Sequence, residues 1–98
     1  MFRHTVAFSL VHPAGSAAEE DFLAAVAGLA EIPGVERFEQ LRQVRPDKGF
    51  TFGFSMEFAD RAAYEAYDRH PAHAAFAQER FAPAVADFLE LDYEPLQR

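Results

Sequence analysis

This chain of 98 residues contains no cysteine, so disulfides and thiol catalysis are both excluded. Basic residues are few: nine Lys and Arg stand against sixteen Asp and Glu, a formal net charge of −7. No basic patch breaks that balance, which argues against nucleic acid and anionic membranes as partners. No apolar run approaches membrane-spanning length, and the chain opens on an alternating pattern rather than a signal peptide's apolar stretch. A cytoplasmic protein is therefore expected. Internal repeats, linkers and low-complexity segments are missing, which leaves one domain over 1–98, near the small end of what supports its own core. Gly-rich phosphate loops and a Ser/His/Asp ordering are missing too.

What the chain does have is phenylalanine. Eleven Phe in so short a sequence need somewhere dry: a dense core, a ligand pocket or a buried subunit interface. Residues 2–11 alternate as a strand, with Phe2, His4, Val6, Phe8 and Leu10 on one face. Ser16 opens a capping box with Glu19, and a helix follows to about Glu31 with Phe22, Val26 and Leu29 as its buried stripe. Pro33-Gly34 stops it. A second strand over about 35–44 and a connection at 46–49 lead to a third strand over 50–58. There Phe50, Phe52, Phe54, Met56 and Phe58 share a face. Asp60 caps a second helix through Tyr64 and Tyr67, which breaks at His70-Pro71. A further helical stretch carries Phe76 and Phe81 until Pro83 disturbs it, and a last strand spans about 88–94.

The order is β-α-β-β-α-β with the second helix broken near Pro71. That predicts an α+β, ferredoxin-like split βαβ with both helices on one face of a four-stranded antiparallel sheet. The Phe-rich face must meet the helices, which leaves the other face uncovered. Thr5, Ala7, Ser9, Gly53 and Ser55 make that face small, so it suits either solvent or a second copy packed sheet to sheet.

The run Tyr67-Asp68-Arg69-His70-Pro71-Ala72-His73 is the one stretch equipped for proton chemistry near neutral pH. On an unbroken helix, residues six apart diverge by about 240°. A proline ends one helix and starts another, so the turn can fold His73 back toward Tyr67. The plainer reading makes His70 and Pro71 a cap and first helical residue, with His73 exposed. His70 and His73 are spaced as paired metal ligands could be, but no acidic residue completes a set, and no metal or cofactor is expected.

With these elements and motifs the chain resembles the stress-responsive α/β-barrel, or Dabb, family over nearly its whole length. The landmarks are Arg3-His4 with Val6 and Phe8, Pro33-Gly34-Val35, the aromatic strand closing at Phe58, Tyr67 to His73 with Phe76, and Asp92-Tyr93. The resemblance implies a homodimeric α/β barrel. Most members have no assigned reaction, and plant members are associated with stress tolerance. One plant member is a polyketide cyclase that closes a poly-β-ketone by aldol condensation with a Tyr/His pair. Tyr67 and His73 match that pair, and His4 matches a first-strand histidine, so these three are the implied catalytic residues. Phe52 stands where that cyclase has a further histidine.

Such a closure needs a base and a donor for the developing enolate. Imidazole, with a pKa near about 6.5, and phenol, near about 10, suit those roles. Val6, Phe8, Phe52, Phe54, Met56, Phe22, Val26 and Phe76 are the expected lining of a ligand pocket. The same list also describes a filled core. The leading expectation is a small homodimeric domain that binds a hydrophobic or aromatic metabolite. Its alternatives are a cofactor-free cyclase or monooxygenase, and a structural stress protein without a ligand.

Overall fold

In the computed structural model, which describes residues 1–98 (Pro46 by its backbone alone), the elements are β1 (Phe2–Leu10), α1 (Ala17–Ala27), β2 (Glu36–Arg42), β3 (Phe52–Phe58), α2 (Arg61–Arg69), α3 (Pro71–Phe76), α4 (Ala82–Ala84) and β4 (Val85–Tyr93). The sheet runs in the order β2-β3-β1-β4 with every pair antiparallel, as a ferredoxin-like α+β sandwich requires.

Side-chain alternation decides the two faces. On β1, Phe2, His4, Val6 and Phe8 are buried, and on β3 so are Phe52, Phe54, Met56 and Phe58. The ladder sets these rows opposite each other, with Phe2 facing Phe58, His4 facing Met56 and Val6 facing Phe54. Against them α1 lays Phe22 and Val26, with Leu29 from the turn that follows, all three buried. Burying such side chains stabilises by about 1.5–3 kcal/mol each, so this aromatic layer holds the fold together.

Element ends differ from expectation for local reasons. The first helix leaves α geometry at Ala27 and tightens into a 3₁₀ turn over Gly28–Glu31, ahead of Pro33. Gly34, at φ 93°, then supplies the left-handed residue the reversal needs. Ser16 Oγ accepts from the Glu19 amide at 3.1 Å, but the Glu19 carboxylate reaches past Ser16 to the Gly15 N–H at 3.0 Å. The second strand covers Glu36–Arg42, shorter than 35–44, and bulges between Glu36 and Glu39, where Arg37 sits at φ 51°. Strand β3 begins at Phe52, since a 3₁₀ turn at Pro46–Lys48 occupies much of the connection before it. Pro83 has no N–H for the carbonyl four residues back, and a π turn over Ala77–Phe81 precedes it.

Strand β4 starts at Val85, earlier than expected, and its polarity is the reverse of its neighbours'. Register puts Phe88 beside Phe8, Glu90 beside Val6 and Asp92 beside His4, on the helix-covered side. Leu89, Leu91 and Tyr93 lie on the outer face, half exposed, in rows with Ala7, Thr5 and Arg3. With Leu41 of β2 opposite Gly53, they make the outer face more apolar than its small residues alone suggest.

Candidate functional site

The site begins with the break between α2 and α3. Asp60 Oδ1 accepts from the Ala63 amide at 2.8 Å, which starts α2 and places Tyr64 and Tyr67 one turn apart on the face toward the sheet. His70 ends α2 and caps α3. Its Nδ1 accepts from the Ala72 amide at 3.0 Å, so His70 is a capping residue, and Pro71 is the first residue of α3. The fold-back brings the rings of Tyr67 and His73 to 4.8 Å between centroids. The Asp68 carbonyl can only accept, so the 3.0 Å contact is His73 Nδ1–H donating to it. In the neutral ring, Nε2 is then left unprotonated.

From the sheet comes His4, the one buried polar or charged residue among the described residues, its ring 6.0 Å from that of Tyr67 and 5.1 Å from that of Tyr64. Its Nδ1–H donates to the Asp92 carboxylate at 2.6 Å, and Glu90 Oε2 lies 3.5 Å from the same nitrogen. The Tyr64 hydroxyl donates to Glu90 at 3.2 Å. Burial raises the Glu90 carboxyl above the usual carboxylate range, and the neighbouring Asp92 adds to it against the opposing pull of His4. Burial likewise raises both phenols, with Asp68 and Glu90 pushing Tyr67 the same way, so both remain protonated donors. The Tyr67 hydroxyl is buried at 1% residue exposure and has no hydrogen-bond partner among the described residues.

Between sheet and helices lies a cavity of about 140 Å³. Tyr64, Tyr67, Asp68, His73, Phe76, Ala77 and Phe81 wall it from the helical side, with Leu29. His4, Val6, Phe54, Phe88 and Glu90 wall it from the sheet. A dry cavity of about 150 Å³ holds one benzene, so this is space for a single ring or a short branched chain.

Of the pocket lining expected from sequence, Val6, Phe54 and Phe76 border the cavity, as do Tyr67, His73 and His4. Phe8, Phe22, Val26, Phe52 and Met56 do not. They are packed core, each at 6% exposure or less, because neighbouring aromatic rings fill the space above them. Sequence reasoning missed Glu90, Asp92, Tyr64, Phe81 and Phe88. The available signal was the i, i+2, i+4 spacing of Phe88, Glu90 and Asp92. It misleads because the alternating leucines would ordinarily be assigned to the inside.

A family model described as the stress responsive A/B barrel domain (Dabb) matches residues 2–95. Among solved structures, a Dabb family protein with a ferredoxin-like fold from Mesorhizobium loti is 52% identical, with a TM-score of 0.95, covering 98% of this chain and 97% of that one. A dimeric ferredoxin-like protein of unknown function from Jannaschia sp. CCS1 is 29% identical, with a TM-score of 0.69 and coverage of 96% and 98%. A hydroxynitrile lyase from Passiflora edulis shares the fold at 22% identity, with a TM-score of 0.82 and coverage of 94% and 90%. No curated protein matches the sequence.

Proposed function

Since this chain belongs to the stress-responsive A/B barrel (Dabb) family, we propose that it binds one ring-sized apolar metabolite carrying a hydrogen-bond acceptor. The observation that carries this reading is the Tyr67 hydroxyl: buried, protonated and unpartnered, on a residue that lines the cavity. An orphan buried donor costs about 1–3 kcal/mol, a cost that a ligand's carbonyl removes on binding. The apolar remainder of the wall, with Val6, Leu29, Phe54 and Phe76, suits a hydrocarbon ring. A purely structural role leaves that hydroxyl without a purpose.

Calorimetry with an aromatic aldehyde and with toluene, its near-isostere lacking the acceptor, tests the reading. The wild type is expected to prefer the aldehyde about tenfold, the worth of one hydrogen bond of about 1.5 kcal/mol, and Tyr67→Phe to lose that preference. Absence of binding by any ring-sized compound, or an unchanged preference in Tyr67→Phe, overturns it.

A second reading is favoured by the unprotonated Nε2 that the His73–Asp68 hydrogen bond leaves beside the phenol. His73 would take a proton from carbon or oxygen of the bound molecule, and Tyr67 would donate to the oxygen on which charge develops, as in an aldol closure or the lyase reaction named for the Passiflora relative. A cavity of about 140 Å³ favours substrates shorter than a full poly-β-ketone. On the second reading His73→Ala and Tyr67→Phe both abolish turnover, whereas on the first there is no turnover to lose.

We further propose that two copies pair through their outer sheet faces. Leu41, Leu89, Leu91 and Tyr93, each about half exposed, supply apolar area, and Ala7 and Gly53 between them let a second sheet approach closely. The Jannaschia relative is described as dimeric, which supports two copies though not by itself the face they use.

A further inference from the structure

We infer that His4, Glu90 and Asp92 form a divalent-cation site at the edge of the cavity, where His4 and Glu90 line the wall and Asp92 stands just outside it, for a first-row ion such as Mn²⁺ or Zn²⁺. The three side chains come from adjacent strands whose ladder fixes them: His4 pairs with Asp92, and Val6 with Glu90, all on the covered face. One nitrogen and two carboxylate oxygens lie within 4.8 Å of one another. The His4 Nδ1 is 2.6 Å from Asp92 and 3.5 Å from Glu90.

Metal–ligand bonds of about 2.1 Å put neighbouring ligand atoms about 3–3.5 Å apart. The His4–Glu90 separation already meets that requirement, and the shorter His4–Asp92 contact opens to it by a small movement of the Asp92 side chain, which is 30% exposed, while His4 stays rooted in the core. The mixed donor set selects the ion class, since imidazole suits Zn, Fe and Cu while carboxylates suit Mg and Mn.

Charge favours occupation. Two carboxylates share one imidazole, and among the described residues no lysine or arginine lines the cavity. The nearby arginines are engaged elsewhere, Arg3 with Glu57 and Arg61 with Glu94. An ion would replace the Nδ1 proton of His4, releasing it to solvent, and would neutralise both carboxylates at once. Tyr64 donates to the same Glu90 oxygen that faces His4 and so fixes the direction of that ligand.

A second observation points to a ligand at the same place. Tyr67 lines the same cavity, with its hydroxyl buried and unpartnered and its ring 6.0 Å from that of His4. Three protein ligands leave coordination positions open, and a water or ligand oxygen held there would be available to that hydroxyl.

The test uses metal-stripped protein and Mn²⁺ alone, read by electron paramagnetic resonance and calorimetry, with no organic ligand present. Its outcome is therefore independent of the aldehyde experiment. One ion per chain is expected, weakened tenfold or more in Glu90→Gln and in Asp92→Asn, and unchanged in the exposed control Glu20→Gln. Circular dichroism checks the fold of each variant. Glu90→Gln, with its side chain partly in solvent, keeps the test valid even where Asp92→Asn unfolds. Several weak sites insensitive to Glu90, or no binding at all, overturn the assignment.

Discussion

Tyr67 is the residue where stability and binding pull apart. Its ring packs against His4, Phe58 and His73, while its hydroxyl is desolvated without return. Tyr67→Phe keeps the ring and removes the unsatisfied group. It is expected to leave stability unchanged or raise it by about 1 kcal/mol in urea titration, while weakening ligand affinity. His73→Ala should cost about 1 kcal/mol or less, because the ring is partly exposed and the Asp68 carbonyl can turn to water. A larger loss would mark His73 as a packing residue. Glu90 gives a pH signature. Its carboxyl is raised from 4.5 in the folded chain, so its contribution is fully present below about that pH and is lost as pH rises through the folded value. In chelator-treated samples, Glu90→Gln should match wild type in acid and become the more stable of the two toward neutrality. Thermal melts from pH 4 to 8 check this, and parallel curves would contradict it. Of these residues, Tyr67 and His73 were legible in the sequence because titratable side chains either side of a proline stand out, and His4 through the family resemblance. Glu90 was not, since a lone acid between leucines on a strand reads as solvent-facing until β1 shows which way that strand is turned.

Among the elements, α2 matters most to the site, carrying both tyrosines and ending at the break that returns His73. Its start rests on the Asp60 cap, so Asp60→Ala should cost about 1 kcal/mol and loosen the Tyr64–Glu90 hydrogen bond. Chemical unfolding checks the first effect, and ligand affinity, expected to fall with it, checks the second. Stability equal to wild type would show that α2 is held by packing alone. Elements with strong period-2 or capping signals were readable, as β1, β3 and the starts of α1, α2 and α3 demonstrate. The π turn at Ala77–Phe81 and the bulge in β2 were not, because each answers a packing demand from a distant segment rather than a local preference. The filled core was equally hidden. Periodicity separates inside from outside, but it does not tell a side chain that touches a void from one that touches another ring.

For the whole molecule, the proposed pairing of outer sheet faces can be tested at a single residue. Leu91 sits half exposed beside Thr5 in its middle, so Leu91→Arg would place a charge at the centre of the proposed dimer contact. Sedimentation of the wild type at micromolar concentration should give about twice the 11.0 kDa chain mass, and the variant a folded particle of half that size. Gly53 is a poorer place for this test. Any side chain there begins 3.1 Å from the Val6 carbonyl oxygen and strains the sheet itself.

The pairing of β1 with β4 also has a consequence for how the protein is made. His4 emerges well before its partner Asp92, which lies 88 positions later in the chain. Until the last strand leaves the ribosome, the central strand has one edge open, the aromatic layer lacks Phe88, and His4 has no carboxylate. Contacts so distant in sequence form slowly, and a nascent chain with an open aromatic sheet is prone to aggregation. The site is therefore completed only with β4, and a chain cut short before it leaves a sticky three-stranded sheet in place of a weaker version of the protein.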